Sequence, residues 1–178
     1  MIAVRRQNLA AADVECILRS VSSSLEPLTA IGREVGDAAG GTLIDRIEQI
    51  GDLPVGGAVI TPAGDLSASF IIHVAVQSHD EPVSVGGVRK ALLNGLGRAS
   101  TMGIETLALP PLGTGAGNLD AEAAAGVMFE VLREHMENEE HPREVTVMVA
   151  TEYELEVFAS LLGRDRDSKD PFRVQHPA

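Results

Sequence analysis

Gly103-Ile104-Glu105-Thr106-Leu107-Ala108-Leu109-Pro110-Pro111-Leu112-Gly113-Thr114-Gly115-Ala116-Gly117-Asn118-Leu119-Asp120 is the stretch on which the reading of this chain turns. Residues 104–109 form a short, mostly apolar run that reads as a strand. Pro110-Pro111 stops it, because proline has no N–H for a ladder hydrogen bond. Three glycines then fall within five positions, 113–117, where the backbone can take φ > 0 and come close to a ligand. Asp120 reads as a helix N-cap, and Ala121, Ala125, Met128, Leu132 and Met136 recur behind it on one helical face. Strand, glycine turn and helix in this order put the turn at the carboxyl end of a strand, where open α/β sheets bind ligands. Successive amides in such a turn make an anion-binding hollow, helped by the positive end of the next helix. That arrangement gives phosphate affinity without Lys or Arg. There is no Gly-Lys-Ser/Thr ending, so a nucleoside-triphosphate P-loop is not expected.

Outward from this stretch, strand-like and helix-like segments alternate. Ile2 to Val4 and Val14 to Leu18 read as strands, separated by a turn over 8–13. Leu28, Ile31 and Val35, then Leu43, Ile47 and Ile50, have the spacing of two helices interrupted at Gly40-Gly41. Ala58 to Ile60 is a further strand. Phe70 to Val76 is almost wholly apolar, as expected of a strand covered on both faces. Val88, Leu92 and Leu96 mark a helix ending near Gly103. Val145 to Ala150 is the last strand, and Leu155, Phe158 and Leu162 belong to a terminal helix. This alternation predicts a three-layer α/β fold with helices on both sides of the sheet. Residues 1–162 are read as one domain and 163–178, with seven charges and two prolines, as a polar tail.

Composition narrows the function classes. The 178 residues are 44% hydrophobic but only 3% aromatic, so the core must be built from Ala, Val, Leu and Ile. Fourteen basic against 26 acidic residues give −12, which argues against nucleic acid or an anionic membrane as partner. No apolar run is long enough to span a bilayer and none follows Arg5-Arg6, so no membrane segment or signal peptide is expected and the cytoplasm is the default compartment. Cys16 stands alone and His79, His135, His141 and His176 lack ligand spacing, so neither a metal nor a cofactor is expected. Cys16 reads as a small buried hydrophobe and His73, inside an apolar strand, as a core or sheet-end histidine.

The same residues resemble those of the macrodomains, a family that binds ADP-ribose. Phe70-Ile71-Ile72-His73 is similar to the family's apolar strand ending in Ile-His. Gly103 to Pro110 is similar to its Gly-Ile-x-Ser-Ile-Ala-Phe-Pro strand, and Gly113-Thr114-Gly115-Ala116-Gly117 to the turn that follows. The resemblance covers residues 1–162 and implies a mixed, mainly parallel six-stranded sheet between two helix layers. It implies that Gly113, Thr114, Gly115, Ala116, Gly117 and Asn118 hold a diphosphate, that Asn8 lies near the adenine and that Ser22 lies near the distal ribose. Arg19-Ser20-Val21-Ser22 stands where the family has Asn-Ala-Ala-Asn, so Ser22 replaces the Asn that supports catalysis in hydrolytic members. Gly32 stands near the place of a catalytic Asp, with Glu34 and Asp37 as substitutes. The aromatic that covers adenine falls near Ala150, with Tyr153 as the nearby replacement.

The phosphate half of the site is therefore retained, while the catalytic and base-stacking halves are eroded. The leading expectation is a binding module for ADP-ribose or a related nucleotide diphosphate, or for ADP-ribosylated protein. The alternatives are a hydrolase of ADP-ribosyl or O-acetyl-ADP-ribose substrates that uses Glu34 or Asp37 to activate water, and a protein-interaction domain with a vestigial pocket.

Overall fold

Two apolar strands set the layering of the molecule. β2 (Cys16–Ser22) and β4 (Phe70–Gln77) run parallel, with Cys16 opposite Phe70 and Arg19 opposite His73. Successive side chains of a strand point to opposite faces. Cys16, Leu18, Ile72 and Val74 accordingly enter one core with Val88, Leu92, Leu96, Met128 and Phe158. Ile17 and Ile71 enter the other, with Val35, Ala39 and Leu43. The structure, a computed structural model, describes residues 1–115 and 118–168.

The remaining strands are β1 (Ile2–Arg6), β3 (Ala58–Pro62), β5 (Thr106–Leu109) and β6 (Glu144–Val149). They complete one six-stranded sheet in the order β1-β6-β5-β2-β4-β3. Every neighbouring pair is parallel except β3 with β4. Helices α1 (Ala30–Ala39) and α2 (Gly41–Ile50) cover one face, parted at Gly40 with its φ of +86°. Helices α3 (Val85–Thr101), α4 (Ala121–Asn138) and α5 (Glu152–Ser168) cover the other. Phe129 of α4 meets Phe158 of α5 edge to face at 5.7 Å. The three-layer sandwich and mainly parallel six-stranded sheet expected from the sequence are the observed architecture. Among the described residues, no helix is long and apolar enough to cross a membrane.

Two boundaries differ from the sequence reading. The strand expected over 14–18 spans Cys16–Ser22, because Arg19 and Ser20 are buried strand residues despite their polarity. The terminal helix runs past 162 to Ser168. Residues 169–178 of the expected tail lie outside the described residues.

The topology brings two diverging connections side by side. The chain leaves β2 over the α1–α2 layer and leaves β5 through α4 on the opposite side. The carboxyl ends of β2 and β5 are adjacent and parallel, so their connections diverge there, at a switch point of the sheet.

Candidate functional site

The turn after β5 sits at that switch point. Pro110, Pro111 and Leu112 are buried, and the Leu112 amide donates to Met128 Sδ at 3.2 Å. Gly113 has φ +75°, and a Cβ built on it would lie 2.6 Å from Val88 Cγ2. Only glycine meets both constraints. The turn closes on itself: Leu119 N–H donates to the Gly113 carbonyl at 3.0 Å and Asn118 N–H to the Gly115 carbonyl at 3.2 Å. Asp120 caps α4, its Oδ1 accepting from Ala123 N–H at 2.7 Å. Successive amides of this turn are expected to face a ligand, but that of Leu112 is committed to Met128 and those of Asn118 and Leu119 to the closure of the turn itself. Ala116 and Gly117 lie outside the described residues.

A cavity of about 500 Å³ opens beside the ends of β1 and β6. Its walls are Arg6 to Leu9, the first turn of α1 (Ala30, Ile31 and Glu34), and Met148 to Ala150. Arg6 braces the rim, with Nε donating to the Ala150 carbonyl at 3.3 Å and Nη1 3.3 Å from Glu152. Both charged side chains are more than half exposed, so that pair adds little stability. Asn8 faces the cavity, but its Oδ1 accepts from Ala10 N–H at 3.0 Å and caps a short 3-10 turn. One acceptor site of the expected adenine contact is thus occupied locally. Ala150 lines the wall, whereas Tyr153 does not. Tyr153 is 59% exposed and its hydroxyl donates to Glu122.

The other expected residues separate. Glu34 is on the cavity wall and Asp37 is not; both are on the exposed side of α1. Ser22 lies outside this wall, its Oγ 2.9 Å from Ser24 Oγ and accepting from Glu26 N–H at 3.2 Å. Gly32 is buried, and a Cβ there would stand 3.3 Å from Thr29 Oγ1, the atom that caps α1. A side chain at this position would need that cap to give by a few tenths of an ångström.

Sequence reasoning missed the cluster beneath α1. Arg19 is 2% exposed; its Nε donates to His73 Nδ1 at 3.0 Å and its Nη1 to the Gly32 carbonyl at 2.9 Å. Because Arg Nε only donates, His73 Nδ1 is the acceptor and Nε2 carries the proton, donating to Thr61 Oγ1 at 2.9 Å. His73 is fully buried with both ring nitrogens bonded, as a core histidine requires. Desolvation, and then the Arg19 charge, lower its pKa to about 3. Burial lowers Arg19 to about 10, which leaves it a cation at neutral pH. The one available signal was a charged residue following directly on an apolar strand run. Cys16 is buried as expected, and desolvation raises its thiol to about 12. Among the described residues, no group of three or more His, Cys, Asp or Glu side chains is placed to hold a metal ion.

The layers and the strand order define an α/β/α sandwich built on a mainly parallel six-stranded sheet. The family model for the Macro domain matches residues 20–128, more than half of the chain, and the chain belongs to that family. It is 28% identical to an O-acetyl-ADP-ribose deacetylase of Cronobacter sakazakii over 163 residues, covering 85% of this chain and 88% of that one. A macro domain-containing protein of Caldanaerobacter subterraneus is 26% identical, with 85% and 90% covered. Among solved structures, the Oceanobacillus iheyensis macrodomain with ADP superposes with a TM-score of 0.84 at 16% identity, covering 93% of this chain and 91% of that one. The Trypanosoma brucei macrodomain in complex with ADP-ribose gives 0.83 at 16% identity, over 91% and 69%. At these identities the structural likeness is one of fold.

Proposed function

We propose that this chain is a binding module for ADP-ribose or a related nucleotide diphosphate, free or attached to protein, with little hydrolytic activity. The observation that carries the reading is the cavity of about 500 Å³ at the ends of β1 and β6, within the size range of nucleotide-sized pockets. It adjoins the switch point, where the glycine turn follows β5. In this reading the base occupies the cavity between Asn8 and Ala150. The diphosphate lies on the turn, held by the amides of Gly113, Thr114 and Gly115 and by the loop through Ala116, Gly117 and Asn118. Ser22 approaches the distal ribose.

Family membership supports the ligand class, and so do relatives named for O-acetyl-ADP-ribose and solved structures that hold ADP or ADP-ribose. Two features speak for binding without turnover. Gly32 leaves the first turn of α1 without an inward carboxylate, and Ser22 Oγ is engaged within its own loop. A hydrolytic reading rests on the deacetylase relatives and on Glu34, a carboxylate on the cavity wall able to position a water.

Isothermal calorimetry with ADP-ribose tests the binding reading. Saturable heat at micromolar ligand supports it, and no heat with no thermal shift at millimolar ligand contradicts it. Incubation with O-acetyl-ADP-ribose and with mono-ADP-ribosylated protein separates the two readings. Product release that Glu34→Ala abolishes would favour the enzyme.

A further inference from the structure

Arg19 is among the largest fully buried side chains in the molecule, and its hydrogen bonds go to two neutral partners. Burying a cation against neutral groups is unfavourable, and an apolar side chain in the same space would avoid that penalty. What the guanidinium supplies instead is direction. Its planar fork holds two acceptors at a fixed separation: His73 on β4 and the carbonyl of Gly32 in α1. His73 continues the chain to Thr61 on β3. Three hydrogen bonds therefore run from the edge of the sheet to the helix, and the helix end of the chain is the turn whose Ala30, Ile31 and Glu34 form a cavity wall.

The helix is shaped for this approach. Gly32 and Gly36 are one turn apart, and a Cβ on Gly36 would lie 2.8 Å from Arg19 Nη1. The guanidinium thus lies directly against the α1 backbone. The apolar contacts of α1 with the core are few, Val35 and Ala39 buried and Ile31 partly so, and the guanidinium adds a directed bond to the helix backbone.

We propose that Arg19 is a positioning residue for the ligand cavity, setting the first turn of α1 above the sheet through Gly32 and being held itself by His73 and Thr61. The inference rests on the nucleotide reading, because the cavity it shapes is the one assigned to the base. Gly36→Ala is the sharpest variant. It adds a helix-favouring methyl and removes no ladder hydrogen bond, but it occupies the space of the guanidinium tip. Arg19→Lys keeps the cation but loses the planar fork that spans the two acceptors.

The test is ADP-ribose calorimetry on the wild type and both variants, with melting temperature and amide hydrogen exchange over residues 30–36. Positioning predicts that Gly36→Ala stays folded, binds at least fivefold more weakly and exchanges about tenfold faster over 30–36, while α4 is unchanged. Arg19→Lys should fall between it and the wild type. A folded Gly36→Ala protein with affinity within twofold of wild type overturns the proposal, whatever its melting temperature. If Arg19→Lys does not fold, Gly36→Ala decides alone. Wild-type protein silent to ADP-ribose overturns the nucleotide reading and the cavity role with it, a result distinct from wild-type binding that the variants leave unchanged.

Discussion

His73 shows how one residue links sequence, burial and pH dependence. Its ring is neutral in the fold, with a pKa near 3 against 6.5 for the free side chain. Below about pH 6.5 the unfolded chain takes up a proton that the native state refuses until about pH 3, so acidification favours unfolding across that window. Urea unfolding between pH 7 and 4.5 should show stability falling with a contribution of up to about 1.4 kcal/mol per pH unit. That component should be absent in His73→Gln, and an unchanged slope would contradict the neutral, buried assignment. Gly113 makes the second residue-scale case. Gly113→Ala meets both the positive φ and the contact with Val88, so it should cost at least about 1–2 kcal/mol in denaturant unfolding.

Among the elements, α4 carries the clearest conflict between stability and binding. Asp120 caps the helix at the mouth of the glycine turn, where in the proposed reading its carboxylate would oppose an incoming diphosphate. Asp120→Asn keeps a capping oxygen and removes the charge, so ADP-ribose should bind about two- to fivefold tighter in calorimetry with little change in melting temperature. Asp120→Ala should lose about 1 kcal/mol of stability. Strand and helix periodicity made the other elements legible. Phe70 to Val76 announced a strand with two covered faces, and Gly40 announced the break between α1 and α2. β2 was cut short in the reading because Arg19 and Ser20 look like loop residues until their partners are known. Those partners come from 54 positions away in the case of His73 and from a helix backbone in the case of Gly32. No periodicity argument reaches such pairs. For the same reason the turn after β5 was readable as a turn, while the commitment of the Leu112, Asn118 and Leu119 amides was not. Which way an N–H points depends on Met128 and on the closure of the turn.

For the whole molecule the controlling quantity is charge. If a chain of net charge −12 binds a dianion through main-chain amides, as proposed, the net field it meets is repulsive and salt screens that repulsion. Raising NaCl from about 50 to about 500 mM, which shortens the screening length severalfold, should therefore leave ADP-ribose affinity unchanged or modestly tighter. A steep loss with salt would point to a site built on Arg or Lys. In the proposed reading, the amides of the β5–α4 turn supply the phosphate affinity. The most direct test is a titration of ¹⁵N-labelled protein with ADP-ribose, following backbone amides. The account predicts saturable shifts at Gly113, Thr114 and Gly115 together with residues 8 and 150. Saturating ligand that leaves those glycine-turn amides unmoved would contradict it.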